Sequence, residues 1–213
     1  MTITVYGYPN TRTLRVTWML EELGMDYNYH LVDLTKGEAK SDEYLAINPA
    51  GKLPSIMAEG QVLTESCAIV NYLAAGHPDA EFIPIASPFR RALYDQWCLF
   101  SLTELEQPLW TMSKHRFALP KDQRCTEVLS TAIWEFQKAL ILLSKGLGEK
   151  DYILGEQFTG ADILLAHTLF WGMAFKQQIE QENLKAYLGR AGVRPALAAA
   201  RSREQAVLRD KQH

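Results

Sequence analysis

Polar and apolar positions keep one rhythm in the first third of this chain and another in the rest. Residues 2–8, Thr-Ile-Thr-Val-Tyr-Gly-Tyr, are β-branched and aromatic and predict a strand. Pro9-Asn10-Thr11-Arg12 predicts a turn in which Asn10 or Thr11 caps the first helix. Val16, Met19, Leu20 and Leu23 recur at i, i+3, i+4 and i+7, an amphipathic helix that Gly24 stops. Tyr27 to Leu34 predicts a second strand, and Ser41 caps a short helix running to about Ile47. Leu53 to Ala58 and Gln61 to Thr64 flank Glu59-Gly60, a hairpin signal. Ile69, Tyr72 and Leu73 then mark a helix that ends at Gly76.

The order so far is β-α-β-α-β-β-α, a mixed sheet with helices on its faces. Residues 1–78 read as this α/β domain, and the proline-bearing stretch 79–88 as a linker. In residues 89–213 strand signals almost vanish. Leu93, Trp97 and Phe100 begin a long helix, kinked near Pro108. Leu129, Ile133, Phe136, Leu140, Leu143 and Leu147 form one apolar stripe. Thr159-Gly160-Ala161-Asp162 is close to a capping box, with Asp162 in place of the usual Glu. The helix it opens, Ile163 to Trp171, is apolar nearly all round and is expected at the buried centre of an all-α bundle. Pro195 starts a last helix from its first turn.

Composition narrows the function classes. The 213 residues are 47% apolar and 22% charged, ordinary values for a soluble globular protein. A net charge of −3 gives no reason to expect nucleic acid or an anionic membrane as partner. The N-terminus shows no basic region before a long apolar run, and no stretch approaches eighteen uninterrupted apolar residues. Cys67, Cys98 and Cys125 are odd in number and form no Cys-x-x-Cys, which fits a reducing cytoplasm and argues against a metal site.

The candidate chemistry lies in Asn48-Pro49-Ala50-Gly51-Lys52-Leu53-Pro54, with Thr64-Glu65-Ser66-Cys67-Ala68-Ile69 after it. Pro54 keeps Leu53 extended, and a cis Leu53–Pro54 bond would leave the Leu53 N–H and C=O for an extended peptide ligand. Ser66 at the start of a helix suits a carboxylate, and Glu65 beside it suits an ammonium. Together they describe a holder for something peptide-like with both an amine and a carboxylate.

These pieces, in this order and separation, resemble the glutathione-binding half of the cytosolic glutathione transferase superfamily. The Phe158 to Ile163 segment also resembles the capping motif of that family's helical domain. The resemblance implies a thioredoxin-like N-terminal domain, an all-α C-terminal domain and a cytoplasmic homodimer. It implies glutathione as co-substrate, no metal, and a small apolar electrophile as the second substrate. It assigns Glu65 and Ser66 to the γ-glutamyl end, with Arg12, Lys52, Leu53 and Pro54 as further glutathione contacts. Counting back from Gly24, Asn10 and Thr11 fall where serine-type relatives carry the activating hydroxyl, and Tyr6 falls opposite the phenol of tyrosine-type ones. Neither a serine nor a cysteine stands at the expected place, so Asn10, Thr11, Arg12 and Tyr6 compete for that role, with a main-chain N–H or no activation at all as the alternatives. Trp110, Met112 and Phe117 are candidates for the apolar pocket.

Each candidate also has a plainer reading. Asn10 and Thr11 cap a helix, Tyr6 is a strand residue, Lys52 is solvated, and the three pocket residues are core or subunit contact. Cys67 and His167 read as structural core groups, and Glu104 and Glu106 do not share a helix face. Two functions are compatible with these features. One is transfer of glutathione to an electrophile, with peroxide reduction and disulfide exchange as related chemistries of the same thiolate. The other is a non-catalytic relative that uses the fold to bind a protein partner.

Overall fold

Alternation of buried and half-buried residues forms β1, Ile3–Gly7, with Ile3 and Val5 on the buried face. The computed structural model describes residues 2–211. In it β1 pairs in parallel with β2, Tyr27–Leu31, and antiparallel with β3, Ser55–Ala58. Strand β4, Gln61–Thr64, closes the hairpin on β3, and the strand order is β2-β1-β3-β4. The parallel β1–β2 pair requires a crossover, which α1, Thr13–Glu22, supplies. The second strand is shorter than its sequence predicts. At Asp33 the side chain accepts the Thr35 N–H and turns the chain into a short 3-10 segment, Leu34–Lys36.

Ser41 caps α2, Asp42–Ile47, its hydroxyl accepting the Tyr44 N–H. Helix α3 spans Ser66–Ala75 and ends at Gly76 as expected. Helix α1 differs from its amphipathic reading, because every residue from Thr13 to Leu20 is buried. The cause is α9, Pro195–Asp210, which packs along α1. Residues 2–83 therefore form one compact unit with residues 193–211, and residues 84–192 form another. The last helix thus belongs with the sheet, whereas its place in the chain groups it with the helical half.

The second unit contains α4, Pro88–Phe100; α5, Glu106–Ser113; α6, Val128–Leu147; α7, Gly160–Ala174; and α8, Glu182–Gly192. Pro108 cannot donate a main-chain hydrogen bond, and the turn before it, Ser101–Leu105, is widened to a π-helix. On α6 the buried stripe is Ala132, Phe136, Ala139, Leu140, Leu143 and Leu147, with Ile133 turned outward. Helix α7 is buried from Gly160 to Leu169, as its all-round apolar sequence predicts. His167 is buried within it.

The capping box forms in full. The Asp162 carboxylate accepts from the Thr159 N–H, the Thr159 hydroxyl and the Ile153 N–H, each at 2.8 Å, and from the Tyr187 hydroxyl at 3.0 Å. With those four donors and complete burial, Asp162→Ala is expected to lower stability by about 3–5 kcal/mol, because every donor loses its acceptor at once. Thr159→Ala removes a single hydroxyl and should cost about 1–2 kcal/mol. Chemical denaturation of the two variants measures both.

Candidate functional site

One row of paired residues sets the site. Tyr6 of β1 faces Ser55 of β3, and Ser55 faces Thr64 of β4. Because β3 runs against both neighbours, the C-terminal end of β1, the N-terminal end of β3 and the C-terminal end of β4 lie at one edge of the sheet. Three segments separated in sequence converge there: the turn at residues 10–12, the Lys52-Leu53-Pro54 approach to β3, and the Glu65-Ser66 start of α3.

The turn is tied from within. The Thr11 hydroxyl donates to the Tyr8 carbonyl at 2.7 Å and accepts the Thr13 N–H at 3.2 Å. Its single proton is committed there. Asn10 is exposed and left-handed, with φ 59°, and its carboxamide makes no hydrogen bond to another described residue. Arg12, rather than Asn10 or Thr11, occupies the helix N-cap position and makes no capping bond with its side chain. Gly7 allows this close turn, since a Cβ there would meet Thr13 Cγ2 at 2.1 Å and the Tyr29 hydroxyl at 2.9 Å.

The second segment is fixed by a polar network under the bend. The Lys52 carbonyl accepts from the Tyr44 hydroxyl at 2.7 Å and from Asn48 Nδ2 at 2.8 Å. Ser55 Oγ stands 2.9 Å from the Tyr44 hydroxyl. The Leu53–Pro54 bond is cis, and Leu53 precedes the first paired residue of β3. The Lys52 side chain is exposed.

At the third segment the N-cap residue is Glu65, with φ 65° and ψ 111°, and Ser66 is the first helical residue. The sequence pattern places the cap one residue later, at Ser66. The shift matters, because Ser66 is buried and accepts a hydrogen bond from Arg15 Nη1 at 3.2 Å. A fully buried guanidinium from α1 thus stands behind the start of α3. The first N–H groups of α3 have no acceptor within the helix, so the site is rich in donors and positive potential. Glu65 is exposed beside it and puts a carboxylate at that helix start.

Comparison with known proteins identifies the arrangement. The N-terminal domain model of glutathione S-transferases matches residues 1–75, and the C-terminal domain model matches residues 107–195. The glutathione S-transferase GstA of Escherichia coli O157:H7 is 30% identical over 188 residues, covering 87% of this chain and 90% of GstA. The chain belongs to the glutathione S-transferase family.

Among solved structures, a glutathione transferase of Methylococcus capsulatus superposes with a TM-score of 0.85 at 27% identity, covering 95% of this transferase and 98% of that chain. A transferase of Burkholderia graminis, crystallised with two glutathione molecules bound per subunit, superposes with a TM-score of 0.79 at 26% identity, covering 93% and 87%.

Other sequence-derived candidates of the transferase sit elsewhere. Tyr6 is within β1, its ring 5.2 Å from that of His30 and 6.3 Å from that of Tyr44. It lines a hollow of about 240 Å³ with both of them, on the face of β1 opposite Val5 and Gly7. In the helical unit Met112 is fully buried, a core residue with no surface to offer a ligand. Trp110 is half-buried on α5. Phe117 is exposed in a π-helical turn, Lys114–Ala118, and packs edge-on to Phe175. Among the described residues no three His, Cys, Asp or Glu side chains cluster as a metal site, and no helix is long and apolar enough to cross a membrane.

Two groups at the site gave no sequence signal. Arg15 lies in the first turn of α1, where a charged side chain reads as solvent-exposed. Glu204 is on α9 and almost wholly buried, accepting the Thr17 hydroxyl at 2.9 Å. Burial pushes the Glu204 carboxyl up to about 8, against the Thr17 hydrogen bond and the Arg201 charge that favour its ionised form. An acid whose folded pKa exceeds its unfolded value stabilises the protein most below the unfolded value. That contribution is lost as pH rises towards 8 and beyond. Native protein should lose on the order of 3–5 kcal/mol of stability from this group between the unfolded glutamate range and pH 9, and Glu204→Gln should abolish that slope. Denaturant midpoints measured across that range test it.

Proposed function

We propose that this glutathione S-transferase binds glutathione across the shared edge of β1, β3 and β4 and adds its thiolate to a small apolar electrophile. The observation that carries this reading is the convergence of three recognition elements on the Tyr6–Ser55–Thr64 row. At one end the Glu65 carboxylate takes the γ-glutamyl ammonium, while Ser66 and the start of α3 take its carboxylate. In the middle the main chain of Leu53, before the cis Pro54, pairs with the peptide backbone, and Lys52 offers its charge to the glycine carboxylate. At the other end the thiol meets the 10–12 turn.

Between the two turn residues, the hydrogen bonds favour Asn10. Thr11 has committed its proton to Tyr8, while Asn10 keeps its amide N–H donors for a thiolate, with Arg12 adding positive charge. A free thiol with a pKa of about 8.5 is only slightly ionised at neutral pH. Lowering that pKa by about two units requires about 2.7 kcal/mol of preferential anion stabilisation. One or two hydrogen bonds to a charged acceptor supply that much. The sulfur lone pair then forms the C–S bond, and either the leaving group departs from the electrophile with its bonding electrons or the addition product takes up a proton. Peroxide reduction and disulfide exchange would use the same bound thiolate.

The reading extends to a cytoplasmic homodimer. Phe89 and Leu99 on α4 are 74% and 60% exposed, an apolar surface of the kind that a second copy covers. Size-exclusion chromatography with light scattering should give twice the chain mass.

Calorimetric titration with glutathione and turnover with chlorodinitrobenzene test the function. Glu65→Ala with Ser66→Ala should weaken glutathione binding at least 100-fold, equivalent to about 2.7 kcal/mol. Asn10→Ala should lower kcat about tenfold to 100-fold while changing glutathione affinity little, because it removes an interaction made to the thiolate. Glutathione binding without turnover in conjugation, peroxide or disulfide assays would leave a binding protein.

A further inference from the structure

The alternation that buries Ile3 and Val5 turns Tyr6 to the other face of the sheet. Tyr6 pairs in register with His30 of β2, so the two rings stand side by side there, 5.2 Å between centroids. Val32, two residues beyond His30, continues the same face. Helix α2, which packs on this face, is only six residues long. It brings Tyr44 and Ile47, three residues apart, to the apolar cluster around Val32, and the Tyr44 ring lies 6.3 Å from that of Tyr6. So short a helix does not close the face. Tyr6 stays half-buried and His30 exposed, and the hollow of about 240 Å³ is left between these rings, α2 and Lys211 just beyond α9.

Its walls are aromatic and apolar, and the polar groups among its lining residues are either engaged or free. Glu38 is engaged: Oε2 accepts the Asp33 N–H at 2.7 Å, and the two carboxylate oxygens take Lys211 Nζ at 3.1 and 2.9 Å. The Asp33 N–H and Lys211 hold the Glu38 carboxyl below the usual glutamate range. Lys211 Nζ also donates to the Leu31 carbonyl at 3.1 Å, so its charge is balanced and its donors are in use. The Tyr44 hydroxyl is taken up by the Lys52 carbonyl and Ser55, and Tyr44 offers only its ring. By contrast, the Glu43 carboxylate, the Tyr6 hydroxyl and the His30 ring nitrogens make no hydrogen bond or ion pair with another described residue. The lining therefore carries one unbalanced carboxylate beside three aromatic rings.

We propose that this hollow binds a small organic cation, an amine on an apolar body, with the ammonium held by Glu43 and the rings of Tyr6, His30 and Tyr44, and the body against Val32 and Ile47. The negative face of an aromatic ring attracts a cation, and a neighbouring carboxylate adds to that attraction. An anion meets both with the wrong sign, and the paired Lys211 has no donor left to offer it. The volume equals that of about eight waters of the liquid. It falls below the several hundred cubic ångströms of a drug-sized pocket, so the body is limited to about one ring. None of Asn10, Arg12, Lys52, Leu53, Glu65 and Ser66 lines the hollow. It is a second site, and the proposal does not rest on the reading of the glutathione edge.

Calorimetric titration of the full chain with phenethylamine tests it, beside phenethyl alcohol and phenylacetate, which keep the ring and change the charge. The amine should bind with a Kd of about 1 mM or tighter, the alcohol about tenfold more weakly, and phenylacetate more weakly still. Glu43→Gln should weaken the amine about fivefold, the size expected of an exposed ion pair, and leave the alcohol unchanged. Glu43 is exposed, so its replacement leaves the core untouched. Tyr6→Leu keeps an apolar wall without the ring and should weaken the amine about threefold. Saturating glutathione should leave the amine bound. Equal affinity for amine and alcohol, an affinity for the amine unchanged in both variants, or complete displacement by glutathione overturns the proposal. So does the absence of any binding heat at about 10 mM amine.

Discussion

Helix α1 is enclosed on every side, and the rest of the first unit is shaped by having to satisfy the polar groups that enclosure traps. Thr13, Arg15 and Thr17 are polar residues of α1, yet all three are fully buried. A buried hydroxyl without a partner costs a few kcal/mol, and an unpaired buried guanidinium costs more. Arg15 is met by Ser66 at the start of α3, and Thr17 by Glu204 on α9. The indole of Trp18 donates to Glu22, which also receives Arg194. Bonds from α1 thus reach both α3 and α9, so α1 can be docked in one register only. The bond from Arg15 to Ser66 ties α1 to the start of α3 at the edge formed by β1, β3 and β4.

Enclosure is also where sequence reading runs out. The sheet, its hairpin, the capping box at Thr159 and Asp162, and the break near Pro108 all rest on local signals, and local physics decides them. The row that brings residues 6, 55 and 64 together is set by strand order once the strands are known. Glu65 and Ser66 were legible as a pair, but their division of labour was not. A Ser before an apolar run reads as a cap, whereas here the left-handed Glu65 starts the helix one residue earlier and turns Ser66 inward to Arg15. Met112 and Ile133 both fit an apolar period. Only the packing partners decide that Met112 is core and Ile133 faces outward. Glu204 was invisible for a stronger reason. Its partner, Thr17, lies nearly two hundred residues away, and no pattern within α9 marks one glutamate among several charged neighbours.

The electrostatics of the edge are graded along its length. At the start of α3 the buried Arg15 charge, the N–H groups of the first helical turn and the exposed Glu65 carboxylate lie together, so both signs of charge are present, as the proposed γ-glutamyl end requires. At the 10–12 turn, the proposed thiol end, there are a neutral carboxamide, the Arg12 side chain at the helix start and the positive end of α1. That asymmetry matches the demands of the two ends. Holding a permanent ammonium and carboxylate requires fixed opposite charges. Shifting a thiol by about two pKa units requires only modest differential stabilisation, since each unit is about 1.4 kcal/mol.

Two non-glycine residues at this edge adopt positive φ, Asn10 at the turn before α1 and Glu65 at the start of α3. Glycine would relieve both backbones, and the chain does use glycine with positive φ at Gly24, Gly37 and Gly60, where nothing lies within 4 Å of a Cβ. Positive φ is not confined to this edge, since Glu59, Glu81 and Lys176 adopt it in turns elsewhere, so what sets Asn10 and Glu65 apart is where they stand and not the conformation itself. At Glu65 that conformation projects a carboxylate beside the first turn of α3, from a backbone that neither helix nor strand would provide. Asn10 is of a residue type that tolerates the left-handed region, and it presents an exposed carboxamide at the turn before α1.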